Sequence, residues 1–151
     1  MNESELKIFV QGARTFFEKS TDEAAEIGVA YIKKDGEDIL SEFTGVIGFS
    51  GEREGGVYVT APTLMLAELT TIFTGLKTPK VSHLRDMVGE LANHIAGFVT
   101  TAFGPGFHIS VPIVVEGELR NIELPVRIPT FVIPLIWRGH RAYVVVGIAD
   151  K

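Results

Sequence analysis

The chain has 151 residues, enough for one domain and too few for two of ordinary size, so we expect a single domain over residues 1–151. Its 14 Lys and Arg against 19 Asp and Glu give a net charge of −5, and no dense basic cluster marks a nucleic-acid-binding surface. The absence of cysteine excludes disulfides, thiolate catalysis and cysteine-ligated metal sites, and agrees with a reducing compartment.

The first 60 residues predict one helix followed by strands. Apolar residues recur at amphipathic helical spacing over residues 3–19. Two β-like runs follow, at Ile27–Ile32 and Ile39–Phe49. A glycine-rich turn over residues 51–56 then leads into a short strand, Val57–Thr60, which pairs back as a hairpin.

Two further helices are predicted in the middle of the chain. Pro62 suits the first turn of a helix, and Gly75 suits the position just after its end. Ser82 is the candidate N-cap of a longer helix, which the Gly-Pro-Gly sequence at 104–106 ends.

The final third of the chain predicts strands again, over Phe107–Val115, Ile122–Trp137 and Ala142–Ile148. Pro125, Pro129 and Pro134 have no N–H to donate, so the second run is expected to be an edge, bulged or bent strand. Tyr143–Val146 is apolar at consecutive positions, which indicates cover on both faces, by core on one side and by a helix or a second subunit on the other.

Helices and strands are segregated along the chain, which predicts an α+β fold with a largely antiparallel sheet packed against two long helices. The N-terminus is acidic and lacks the order of a signal peptide. The uncharged stretch from Leu91 to Val115 contains Asn93, two histidines and a Gly-Pro-Gly break, so we do not expect it to span a membrane. A soluble, cytoplasmic protein is expected.

Most familiar catalytic and metal-binding patterns are missing from the sequence. The four histidines (His83, His94, His108 and His140) have no partner at metal-ligand spacing, so no metal site is expected. Neither a phosphate-binding glycine loop nor a nucleophile elbow is present.

One polar constellation remains, on the predicted long helix. Asp86, Glu90 and Asn93 stand at i, i+4 and i+7, which places their side chains within an arc of roughly 60°. Such a stripe is also what a solvated helix face looks like, and the spacing Glu-x-x-Asn alone is weak evidence. The same spacing occurs at Glu118 and Asn121, where the context predicts a turn between strands.

The surrounding sequence makes this constellation more specific. Asp86–Gly97 resembles the signature helix of the CheC/CheX/FliY phosphatases, in which Asp or Ser is followed by Glu and then Asn at the same offsets. Thr44–Gly51 is similar to the early strand and turn of that family, and Pro129–Pro134 to its late strand. The resemblance extends over Ile39–Ile148.

A single signature helix makes the chain more similar to CheX than to CheC, which has two. The other central helix offers Leu64, Glu68 and Thr71 at the equivalent offsets, so no second site is expected. The resemblance implies a CheX-like fold and a homodimer.

The resemblance also implies a reaction, hydrolysis of the aspartyl phosphate of a CheY-like receiver domain. Asn93 would orient the attacking water, Glu90 would pair with the receiver's lysine, and Asp86 would stabilise the first turn or touch the partner at the rim. No cofactor of its own is implied, because the receiver brings Mg²⁺. The alternative is a non-catalytic module that docks on a receiver domain or on a signalling or flagellar complex. The sequence does not identify the receiver or its pathway.

Overall fold

The computed structural model describes residues 1–34, 36–37, 39–117 and 129–150. The elements in this part follow the predicted order of helix, strands, two helices and strands. They are α1 (Glu3–Thr21), β1 (Glu26–Ile27), β2 (Tyr31–Ile32), β3 (Phe43–Gly51), β4 (Arg53–Ala61), α2 (Thr63–Thr74), α3 (Val81–Phe103), β5 (Phe107–Ile109), β6 (Ile113–Glu116), β7 (Phe131–Trp137) and β8 (His140–Asp150).

The strands form one sheet in the order β1-β7-β8-β4-β3-β5, with β2 also paired to β7 and β6 also paired to β3. Every pairing is antiparallel. Helices α1 and α3 are long, with 19 and 23 residues, and α2 has 12. The predicted α+β fold is therefore confirmed.

The main core lies between the helices and one face of the sheet. Large side chains that are fully buried there include Phe9, Phe16, Phe17, Leu66, Leu69, Leu91, Ile95 and Trp137. None of the helices in the described ranges has the length and hydropathy that a membrane span requires.

The other face of the sheet is covered as well. Tyr58, Val132 and Val145 are buried there beneath Ile39 and Leu40. The Tyr58 hydroxyl donates a hydrogen bond to the Ile39 carbonyl at 3.1 Å. The prediction of cover on both faces is confirmed, but this chain's own residues supply the second cover, where a helix or a second subunit was expected.

One predicted strand run is interrupted, and another differs in its place in the sheet. Ile27–Ile32 divides into β1 and β2 opposite Pro134 of β7. The Gly28 N–H donates to the Pro134 carbonyl at 2.9 Å, and proline has no N–H to return, so the ladder stops there. The proline-containing run is predicted to be an edge, bulged or bent strand, and of these the edge position is wrong for β7, which has neighbours on both sides. The first part of the predicted run Ile122–Trp137, with Pro125, lies outside the described residues, as do Glu118 and Asn121.

The predicted glycine-rich turn is wrong in extent, because only Glu52 separates β3 from β4. Gly55 lies inside β4, paired to both Phe49 and Ile148. A Cβ on Gly55 would come within 2.1 Å of the Gly147 carbonyl oxygen. Glycine is required here because two strands approach closely.

Candidate functional site

The 23-residue helix α3 builds the candidate site. It begins at Val81, so the predicted N-cap at Ser82 is wrong. The Lys80 N–H donates to Nδ1 of His83 at 2.9 Å, and this contact caps the first turn. The Gly104 N–H closes the other end on the Thr100 carbonyl at 3.0 Å.

The three predicted site residues share the solvent face of α3. Asp86, Glu90 and Asn93 are all exposed, while Val88 and Leu91 on the opposite side are fully buried. The predicted exposure of this face is therefore confirmed. Among the residues that the structure describes, none forms a hydrogen bond or an ion pair with these three side chains.

A glycine of β3 sets the position of α3 against the sheet. A Cβ on Gly45 would lie 2.9 Å from the Val88 carbonyl oxygen and 3.3 Å from the Ala92 side chain. The strand therefore contacts the helix backbone directly behind Glu90. This close packing sets the distance between α3 and the sheet, and so the position of the exposed face.

A shallow groove of about 580 Å³ runs beside the exposed face. One side is the α3 face with Asp86, Glu90 and Asn93. The other side consists of five residues that we call the 109–114 wall, which does not include Ile113: Ile109, Ser110, Val111, Pro112 and Val114. The sequence predicts one continuous strand over this segment, Phe107–Val115, and therefore does not predict the groove. Pro112, which cannot donate to a ladder, was the available signal.

The 109–114 wall is fixed to the sheet by Ser110. Its N–H donates to the Gly48 carbonyl at 3.0 Å, and the Gly48 N–H donates to the Ser110 hydroxyl oxygen at 2.9 Å. At the floor of the groove, a Cβ on Gly89 of α3 would lie 3.4 Å from the Val114 side chain. The absence of a side chain at Gly89 keeps the groove open between its two sides.

The charges of the groove leave it acidic. Arg85 forms an ion pair with Glu116 of β6 and also reaches the Val114 carbonyl at 3.5 Å. This pair connects α3 to β6, and its two opposite charges cancel each other. The carboxylates of Asp86 and Glu90 remain as two negative charges without an ion-pair partner in the described part of the chain.

His94 lies next to Asn93, but it is not a permanent cationic partner for Glu90. Burial lowers the pKa of His94, Lys19 lowers it further, and the Glu90 carboxylate opposes the shift. The imidazole packs edge-on against Phe16 of α1, with ring centres 5.3 Å apart. A neutral His94 leaves Glu90 available to a cation from outside.

The equivalent positions on α2 form no comparable face. Glu68 contacts His140 and lies 3.6 Å from Arg138, so its carboxylate is occupied. The Thr71 hydroxyl donates to the Leu76 carbonyl at 2.7 Å. These contacts agree with a single site on α3. No group of three His, Asp or Glu side chains in the described ranges is placed to hold a metal ion.

Solved structures of chemotaxis proteins share this fold. Vibrio vulnificus CheX is 20% identical with a TM-score of 0.85, covering 97% of this chain and 99% of its own. Desulfovibrio desulfuricans CheX is 21% identical with a TM-score of 0.85 and the same coverage. Borrelia burgdorferi CheX, solved in complex with CheY, BeF₃ and Mg²⁺, is 18% identical with a TM-score of 0.77, covering 97% of this chain and 98% of its own.

No curated protein sequence matches this one significantly. The family described as "Chemotaxis phosphatase CheX" matches residues 43–135, which is more than half of the chain and includes β3 and the whole of α3. This chain therefore belongs to the CheX family of chemotaxis phosphatases.

Proposed function

We propose that this protein hydrolyses the aspartyl phosphate of a CheY-like receiver domain in the cytoplasm. The observation that carries the proposal is the exposed trio of Asp86, Glu90 and Asn93 on α3, which has no hydrogen-bond or ion-pair partner among the described residues, within a chain that belongs to the CheX family. The complex of Borrelia burgdorferi CheX with CheY supports a receiver of that kind as the partner.

The chemistry asks little of the phosphatase. An acyl phosphate is already an activated group, so catalysis consists mainly in placing a water molecule in line with phosphorus. The Asn93 carboxamide can accept a hydrogen bond from that water and donate another, and it adds no negative charge beside the phosphoryl group. We assign water positioning to Asn93.

Glu90 is proposed as the docking contact. Its carboxylate stands one turn before Asn93 and has no ion-pair partner among the described residues. A lysine of the receiver beside its phosphorylated aspartate would satisfy Glu90 and direct Asn93 at the phosphoryl group. Asp86, one turn earlier on the same side of the groove, is assigned a rim contact.

Mg²⁺ enters this reaction as part of the substrate. The receiver would hold the ion against its own phosphoryl group, and this chain would supply only side chains that approach from the opposite side. The Borrelia burgdorferi complex, which contains Mg²⁺ together with CheY, supports this division.

The resemblance to CheX further supports a homodimer. Val145 and Tyr58 are already covered by Ile39 and Leu40 of the same chain, so we expect the dimer contact to lie outside the Tyr143–Val146 run. Sedimentation equilibrium should give twice the 16.5 kDa mass of one chain. A mass of one chain across micromolar concentrations would contradict the dimer.

The function is tested by incubating the protein with a panel of phosphorylated CheY-like receivers and following phosphate release. We expect accelerated release from at least one receiver over its spontaneous loss. Binding to a receiver without acceleration would favour the alternative, a non-catalytic docking module.

A further inference from the structure

The 109–114 wall is held to the sheet by hydrogen bonds and carries an exposed apolar side chain. Val111 lines the groove and is 82% exposed. Its neighbour Pro112 is fixed in φ, and Ser110 holds the segment to Gly48 by two hydrogen bonds. Val111 and the partly exposed Pro112 are contiguous on the edge of a groove lined by polar residues, and an apolar patch in such a place indicates a contact surface.

The wall faces the proposed catalytic side chains across the groove. Asp86, Glu90 and Asn93 line one side, and Val111 and Pro112 line the other. Any surface that reaches Asn93 along this groove therefore also meets the wall. The groove combines an apolar rim with two carboxylates that have no ion-pair partner in the ranges the structure describes, so it suits a partner surface with a cationic group beside an apolar side chain.

We propose that the 109–114 wall is the second half of the receiver-docking site, and that Val111 buries an apolar side chain next to the receiver's phosphorylation site. The inference rests on the proposed function and assigns binding strength and choice of receiver to the wall. Asn93 supplies the rate, whereas Val111 supplies affinity, because its contacts are the same in the bound state and the transition state.

The test uses Val111→Ser, with Ile113→Ser as the matched control. Ile113 is also apolar and 66% exposed, but it pairs with Val46 on the opposite face of the sheet, away from the groove. Dissociation constants are measured against a BeF₃-loaded CheY-like receiver with Mg²⁺, and single-turnover rates at saturating phosphorylated receiver. Unfolding curves of both variants show that they fold.

Val111→Ser is expected to weaken binding by roughly fivefold to tenfold through the loss of buried apolar surface. The saturating rate should stay within about twofold of wild type, since uniform binding does not enter it. Ile113→Ser should leave both quantities unchanged. Val111→Lys should weaken binding more than Val111→Glu, because the partner surface is cationic.

Equal affinities for Val111→Ser and wild type would overturn the inference while leaving the proposed function intact. A lower saturating rate with unchanged affinity would also overturn it. If the wild-type protein binds none of the phosphorylated receivers, the proposed function and this inference fail together.

Discussion

Gly45 and Val88 bring strand β3 into direct contact with helix α3, since a Cβ on Gly45 would stand 2.9 Å from the Val88 carbonyl oxygen. The atom in the way is backbone and cannot rotate aside. Gly45→Ala should therefore shift α3 and lower the free energy of unfolding by about 1–3 kcal/mol, as overpacked cores do. Urea denaturation measures the change.

Gly97→Ala on α3 is the matched control. A Cβ at Gly97 meets no atom within 4 Å. Alanine is the better helix former, so this variant should gain about 0.5–1 kcal/mol of stability. Equal stabilities for the two variants would show that the contact between β3 and α3 is loose.

The helices and the candidate face could be predicted because their signals are local. The helical period alone places Asp86, Glu90 and Asn93 together and opposite Leu91, and the structure has them there. On α2, where the sequence predicts no second site, Glu68 is paired with His140 and Arg138.

The features that escaped prediction depend on contacts between distant segments. From the sequence, Gly55 is typical of a turn residue. Its actual role depends on β8, which lies against it in the sheet. The start of α3 depends on a backbone hydrogen bond that His83 accepts. Histidine is not a usual capping residue, so the sequence does not indicate this contact. The break at Ser110 depends on its bonds to Gly48, 62 residues earlier, and Pro112 is the only local sign of it in the sequence.

Glu90→Ala should weaken receiver docking. A charge-assisted contact shut off from water contributes about 1.5–3 kcal/mol, which corresponds to roughly tenfold to hundredfold in affinity. Titration with a BeF₃-loaded receiver measures the loss. Glu18→Ala removes the same charge from an exposed position of α1 outside the groove and should leave affinity unchanged. Unaltered binding by Glu90→Ala would make Glu90 a solvated helix charge.

The stability of the protein should depend on pH through His94. Burial lowers the pKa of His94 in the folded chain, so the unfolded chain takes up the proton first as the pH falls. The folded state is therefore favoured above the ordinary histidine pKa of about 6.5 and loses that advantage below it. Unfolding free energies should fall between about pH 7 and about pH 5 more for wild type than for His94→Gln. Equal falls would contradict the lowered pKa of the partly buried His94 imidazole.

Arg85 should control the groove through its tie to Glu116. Arg85→Ala frees Glu116 and removes the bridge from α3 to the Val114 carbonyl. Both charges are substantially exposed, so the loss of stability should stay below about 1 kcal/mol. The free energy of receiver binding should change by more than the free energy of unfolding, because the two sides of the groove are no longer joined by this ion pair. An Arg85→Ala variant with wild-type receiver affinity would show that the bridge plays no part in docking.

The assignment of water positioning to Asn93 is tested most directly by single-turnover loss of phosphate from a labelled receiver. Asn93→Ala should lower this rate by on the order of a hundredfold or more while affinity for a BeF₃-loaded receiver changes little. Asn93→Asp should be at least as damaging, because an anionic side chain repels the phosphoryl group. Both variants should keep wild-type stability, since Asn93 is exposed, and Ser82→Ala on the same helix should keep the wild-type rate. Rates within about threefold of wild type for both Asn93 variants would contradict the assignment and favour a docking module without catalysis.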